Sequence, residues 1–337
     1  MAMPVIRSVT ATPTVVQPGQ TAQVVIDART VTSYDLTTTA PGVSIRQNPA
    51  APNRFSVTVL SGRTTVTLTA RVRDAAGRTA TATTKLTVPL LVGMSAQKGL
   101  RTREIVAEYP GIRYMRDFGA DSADADNLPE LPPLNAGKFV DAPTAVMHVS
   151  WKDDVAQLGG WLDGLSRPVY LTWYHEPMGD VAPATYRATA ARVTQIVAAH
   201  PRRRYVLGHG PIVTRYWLDE GGGNPTDWGY PGMTHYGIDC YSRDTGSYWT
   251  PFRMFGVAFG KVRAAYPGTR LLVPEYGLVR TTTDSTGAGR AKAMRDHVTW
   301  LRQQPNVDAI AYWNNWAEYQ ISGLPLESDA WRALQAT

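Results

Sequence analysis

The 337-residue sequence predicts a two-domain chain, an all-β sandwich over residues 1–88 followed by a (β/α)8 TIM barrel over residues 89–337. Three observations carry that prediction. The first 88 residues are rich in Thr and Val, contain no Trp, and alternate polar with apolar at period two. From Leu90 onward, short apolar runs alternate with helix-period segments. Eight such units in about 250 residues match the size and strand count of this barrel.

In the first domain the alternating segments are "AQVVIDA", "RFSVTVL", "TTVTLTARVRD" and "TATATTKLTV". Turn residues separate them at Gln17-Pro18-Gly19-Gln20, Ala40-Pro41-Gly42 and Asp74-Ala75-Ala76-Gly77. Short alternating strands at this spacing resemble the immunoglobulin-like modules of extracellular enzymes and bacteriophage tail proteins. The resemblance lacks the Cys pair of antibody domains. Cys240 is the one cysteine, so no intrachain disulfide forms, and its apolar neighbourhood predicts a buried hydrophobe.

Charge divides the chain as composition does. Residues 1–88 hold nine Lys or Arg against three Asp or Glu, so the whole formal charge of +6 falls there. Two readings are open: docking to an anionic surface or partner, such as a virion or cell-surface assembly, and a solvated sheet face. Nucleic acid is not an expected partner, because Tyr34 and Phe55 are the only aromatics among these basic residues. No apolar run is long enough to span a bilayer, so no membrane insertion is expected. The start, "MAMPVIRSVT", lacks the apolar core of a secretion signal, and Met-Ala-Met is compatible with a cloning remnant.

The strand candidates of the second domain are "LLVGMSAQ", "YMRDFGA", "AVMHVSWK", "VYLTWYHE", "RYVLGHG", "HYGIDCYS", "RLLVPEYG" and "AIAYWNNW". Between them, "PATYRATAARVTQIVAAH" and "GRAKAMRDHVTWLRQQ" are the clearest amphipathic helices. A doubly wound open sheet is the alternative. It would ordinarily carry a Gly-rich phosphate loop after its first strand, and "VGMSAQKG" is a poor one.

Barrel active sites form where strands end. Glu176 ends the fourth run and Glu275 the seventh, whereas Glu104, Glu108, Glu130, Glu220, Glu318 and Glu327 fall in helix or loop context. Alternation places Glu176 on one face with Tyr174 and Thr172, leaving Leu171 and Trp173 for the helix layer. Ala309, Ala311 and Trp313 share a face of the last run, which suits a barrel interior with an aromatic at its mouth. Two carboxylates across a pocket equip a protein for glycoside hydrolysis: one protonates the leaving oxygen, and the other attacks the anomeric carbon or activates water. A salt-bridged structural pair is the alternative. His148, His175 and His209 also end strands, but without the i, i+3 or i, i+4 spacing of a zinc helix; neither a metal nor a cofactor is expected.

Carboxylates on strands four and seven resemble the arrangement of the retaining (β/α)8 glycosidases. "HEPMGD" is similar to the His-Glu motif of glycoside hydrolase family 26, the β-mannanase-like family. "VSWK" resembles that family's Ser-Trp-His on strand three, "YPGMTHYGIDCYS" its Tyr-Pro-Gly and Gly-x-Asp-x-Tyr stretch, and "PEYG" its nucleophile strand. The resemblance covers residues 90–320 in four short islands. It implies Glu176 as general acid/base, Glu275 as nucleophile, His175 orienting the acid, Tyr241 donating to the nucleophile, and Trp313 as the platform under the sugar. Trp151, Lys152, His148 and Arg116 complete the candidate substrate-binding set. Lys152 stands where the family has His, a departure that opens the site to an acidic sugar or a different hydroxyl pattern.

The sequence therefore predicts a retaining, endo-acting glycosidase of a cell-wall or surface polysaccharide, set on a phage tail or similar assembly. The alternative is a binding protein whose barrel holds a glycan without cutting it. A third reading makes residues 1–88 the functional part and the barrel a scaffold.

Overall fold

Seven strands form from the alternating segments at the start of the chain. The computed structural model describes residues 3–95, 102–117, 131–152, 154–243, 246–315 and 317–336. It divides the chain into two compact units, Met1–Pro89 and Leu90–Thr337.

In the first unit, β1 (Val5–Thr12), β2 (Thr21–Arg29), β3 (Ser33–Thr37), β4 (Val43–Asn48), β5 (Ala51–Val59), β6 (Thr64–Arg73) and β7 (Thr79–Val88) form two small antiparallel sheets. Their orders are β1-β2-β5-β4 and β3-β6-β7. Alternation sends Val24, Ile26, Phe55, Val57, Leu68 and Val72 into one shared core. Each such burial contributes about 1.5–3 kcal/mol. The opposite positions, Arg54, Arg71, Arg73 and Lys85 among them, face solvent. At the β6–β7 turn, Asp74 Oδ1 accepts the backbone N–H of Ala76 and of Arg78, both at 2.9 Å, and Gly77 supplies the left-handed residue at φ +81°.

The second unit carries nine parallel strands: β8 (Leu91–Ser95), β9 (Tyr114–Asp117), β10 (Val146–Trp151), β11 (Val169–Trp173), β12 (Val206–His209), β13 (Ile212–Thr214), β14 (His235–Tyr241), β15 (Arg270–Gly277) and β16 (Val307–Trp313). Their order is β12-β11-β10-β9-β8-β16-β15-β14-β13, a curled sheet that fits a (β/α)8 barrel. The sequence predicts eight strands, and the ninth arises because the fifth is broken at Gly210-Pro211. Gly210 donates to Leu171 O beside β11 at 3.2 Å, while Gly237 of β14 donates to Pro211 O at 2.8 Å. The break therefore touches both ends of the strand order. Gly210 is required there, since a Cβ would meet His235 O at 1.7 Å.

Helices α1 (Thr102–Glu108), α2 (Gly137–Asp141), α3 (Leu158–Asp163), α4 (Pro183–Ala199), α5 (Arg215–Asp219), α6 (Val257–Ala265), α7 (Ala288–Gln303) and α8 (Pro325–Gln335) return the chain between strands. In α4, Pro183 opens the first turn and Tyr186, Ala190, Val193 and Val197 make the buried stripe that docks on the sheet. Among the described residues, no helix is long and apolar enough to cross a membrane. Cys240 is fully buried in the layer between sheet and helices.

The strand starts are closed by a buried ionic network. Asp308 of β16 accepts from His235 Nε2 at 2.8 Å, Arg270 Nε at 2.7 Å and Tyr170 Oη at 3.2 Å. The register between β15 and β16 skips Asp308, pairing Leu271 with Val307 and Leu272 with Ala309. Such an extra residue re-aims its own side chain. Above this floor, Tyr114, Tyr170, Leu272, Ala309 and Ala311 fill the interior.

Candidate active site

Both candidate glutamates meet at His175 by the strand ends, and in neither case does simple alternation bring them there. Strand β11 ends at Trp173, and Tyr174 and Glu176 then adopt left-handed backbone at φ +57° and +50°. Non-glycine residues pay strain there, of order 1–3 kcal/mol each. The kink corrects the expectation for Tyr174. Its ring packs towards the helix-side core and under Lys152 Nζ, 4.6 Å away, rather than sharing a face with Thr172 and Glu176. His175 and Glu176 instead both turn towards the pocket.

Glu275 arrives by a bulge. Leu272 points into the barrel and Tyr276 into the outer layer, although both are even-numbered. Between them β15 carries Pro274 and Glu275 opposite the single residue Ala311 of β16. The register against β14 also shifts between Gly237 and Cys240. Proline, which has no N–H to donate, suits such a position in a central strand.

The side chains converge on His175. Its Nε2 lies 2.7 Å from Asp239 Oδ2, 3.4 Å from Glu275 Oε1 and 3.9 Å from Glu176 Oε1. The Tyr241 hydroxyl donates to Glu275 Oε2 at 2.5 Å, and Arg116 Nη2 stands 3.9 Å from Oε1. Glu275 is 4% exposed, and Oε1 accepts no hydrogen bond among the described residues. One oxygen is thus clamped while the other faces the His175 ring and the Arg116 guanidinium.

Crowding sets the electrostatics. Burial pushes Glu176 up to about 7, against the pull of His175 and with the push of Asp239. Burial likewise raises Asp239 to about 7, with Arg116 opposing, and Glu275 to about 8, with the Asp239 charge adding to the rise. His175 is lowered by burial despite the neighbouring Glu275 and Glu176. Burial and the Glu275 charge hold Tyr241 well above its ordinary value, so its hydroxyl remains a donor.

The other sequence candidates separate. Trp313 sits at the mouth with Tyr241 and Tyr319, its ring perpendicular to Tyr241 at a centroid distance of 6.3 Å. Arg116 is fully buried and donates to Ser150 Oγ at 2.7 Å. Lys152 lies at the rim, 3.6 Å from Asp180 Oδ2. His148 is deeper in the interior, bonded to Tyr114 Oη at 2.5 Å and Thr172 Oγ1 at 2.8 Å. Trp151 departs furthest, facing outwards into the sheet–helix layer, because alternation from His148 and Ser150 sends it there. Asp239 was missed as a site residue. Its signal was available two residues before Tyr241, on the same face of one strand.

No protein-family model matches the sequence, and neither does any curated protein. Among solved structures, the chain is similar to a family 39 glycoside hydrolase from Bacteroides cellulosilyticus WH2, at 11% identity and TM-score 0.45, over 98% of this chain and 82% of that one. A Bacteroides ovatus GH5 xyloglucanase matches at 10% and 0.40, over 98% and 100%. A GH128 endo-β-1,3-glucanase from Sorangium cellulosum matches at 11% and 0.46, over 72% and 98%.

Proposed function

We propose that the barrel is a retaining, endo-acting glycosidase of a cell-wall or surface polysaccharide. The observation that carries this reading is the meeting of Glu176 and Glu275, from opposite parts of the sheet, within 4 Å of one imidazole nitrogen. That closeness is compatible with the roughly 5–5.5 Å separation of a retaining pair. The family 26-like islands in the sequence point the same way.

In the first step Glu275 Oε1 attacks the anomeric carbon as Glu176 gives its proton to the departing glycosidic oxygen. A covalent glycosyl-enzyme forms and the shortened glycan leaves. Water then loses a proton to Glu176 and attacks the same carbon, releasing Glu275. Two inversions give retention. Tyr241 holds Oε2 so that Oε1 is the attacking atom, His175 keeps both carboxyls in register, and Trp313 offers its face to the sugar ring.

The test is a screen of plant and bacterial cell-wall polysaccharides for new reducing ends, with the anomer of the first product read by NMR. Release with retained configuration supports the proposal, whereas release with inversion or no release from any glycan refutes it. Tyr241→Phe removes one donor to the nucleophile and is expected to lower kcat roughly 10²-fold with little change in KM. The pH profile of kcat/KM is expected to be a bell. It falls on the acid side as Glu275 takes up a proton and on the alkaline side as Glu176 loses one, with both limbs in the region of about 7 to 8. The limbs belong to the coupled site rather than to either residue, since the Asp239 charge raises both glutamates and the Glu176 charge raises Glu275. A flat profile across that range contradicts it.

Residues 1–88 extend the proposal as an immunoglobulin-like module that seats the barrel on a virion or cell-surface assembly. The strand orders β1-β2-β5-β4 and β3-β6-β7 support the first part, since they match the ABED and CFG sheets of that fold. The net positive charge of residues 1–88 supports the second.

A further inference from the structure

His175, Asp239 and Glu275 come from three different strand ends, and one ligand atom of each lies within 4.8 Å of the other two. Two metal–ligand bonds of about 2.0–2.2 Å meeting at a tetrahedral angle span roughly 3.3–3.5 Å. The separation of His175 Nε2 from Glu275 Oε1, 3.4 Å, falls in that span, whereas Asp239 Oδ2, hydrogen-bonded to the same nitrogen at 2.7 Å, has to draw back by about 0.6 Å to admit the ion. Hydrogen bonding accounts for only part of the arrangement. Glu275 Oε1 is buried without accepting a hydrogen bond among the described residues, on a side chain 4% exposed, while Asp239, 1% exposed, is shared among His175, Glu176 and the Glu275 backbone. A buried acceptor oxygen of this kind calls for a positive partner.

The surrounding charges are mixed. Arg116 Nη2, 3.9 Å from Glu275 Oε1, opposes a cation, and Glu176 Oε1, 3.9 Å from the same imidazole nitrogen, favours one. With Asp239 and Glu275 ionised as ligands against one guanidinium, the balance is negative even when Glu176 keeps its proton. One imidazole nitrogen with carboxylate oxygens selects zinc-class ions over calcium or magnesium, which take all-oxygen shells.

We infer that His175, Asp239 and Glu275 bind a zinc-class divalent cation, with water in the fourth position, and that the ion switches the barrel off by occupying Glu275. The inhibitory part rests on the glycosidase function proposed above; the binding part does not. Binding exchanges three of the ion's waters for His175 Nε2, an Asp239 oxygen and a Glu275 oxygen; the neutral imidazole then carries its proton on Nδ1, and any proton held by the two carboxyls is released to solvent.

Isothermal titration of the full chain with zinc chloride, and with magnesium chloride for comparison, tests the site. One zinc per chain is expected, with affinity at least tenfold weaker in Asp239→Asn and in His175→Gln, and no comparable magnesium binding. Cobalt(II) added to the unaltered chain should give the visible absorption of a four-coordinate nitrogen–oxygen site, a readout independent of any variant's folding. No one-to-one binding, or unchanged affinity in both folded variants, overturns the inference. On a glycan that the chain cleaves, zinc should inhibit and a chelator should restore turnover. Cleavage without zinc binding sinks this inference alone, whereas zinc binding with no glycan cleaved sinks the proposed function and leaves the site standing.

Discussion

Glu275→Ala is expected to lose on the order of 10⁴-fold or more in kcat, because under the proposed mechanism it removes the nucleophile and with it the covalent route. Azide at high concentration should restore turnover, since a small anion fits the space that the side chain leaves. It attacks from the side where Glu275 stood, so the product is a glycosyl azide of inverted configuration, the outcome of a single displacement. A loss of less than tenfold takes Glu275 out of the chemistry. The same residue separates catalysis from simple glycan holding: Glu275→Gln should end product release if the barrel is an enzyme, and leave both glycan affinity and behaviour unchanged if it only binds.

Asp308→Ala should be the most destabilising single change in the barrel, by about 3–5 kcal/mol, because it leaves His235 and Arg270 facing each other without their shared carboxylate. In a domain of this size that lowers Tm by roughly 10 °C. Burial alone would raise the Asp308 carboxyl, but hydrogen bonds from His235 and Arg270 hold it below its ordinary value. A carboxylate depressed in the folded state stabilises above its unfolded pKa, and that contribution is lost as pH falls through the folded value. The gap between wild type and variant should therefore be full at neutral pH and close below about pH 4. A Tm difference independent of pH would assign the loss to packing. Because the network closes the strand starts, the pH profile of whatever glycan cleavage survives should not shift.

Strand positions were legible in the sequence wherever β-branched and aromatic runs met turn residues. "VYLTWYHE" and "RLLVPEYG" could thus be placed, and with them Glu176 and Glu275. The broken fifth strand was not legible as two pieces, because the interruption at Gly210-Pro211 is shorter than the loops that separate strands. Side-chain direction was legible only where the backbone stays regular. Alternation holds for Thr172, Leu171 and Trp173, and for His148 and Ser150 with Trp151 between them. It fails at Tyr174 because a left-handed residue resets the count, and at Glu275 because the bulge inserts one. Asp239 is the acidic residue of the Gly-x-Asp-x-Tyr stretch, but the stretch alone does not say which side chain it meets. Its role emerges only when His175, sixty-four residues earlier, closes on it across the barrel.

The bulge at Pro274-Glu275 has a consequence for anyone who would rebuild this site elsewhere. Grafting a glutamate onto the matching strand of a regular, idealised barrel would aim it at the helices, and no choice of rotamer would bring it back. The added backbone residue has to travel with the carboxylate. By the same arithmetic, deleting one residue between Val273 and Tyr276 should silence the protein as completely as removing Glu275 itself, while every other side chain of the site is still present in the sequence.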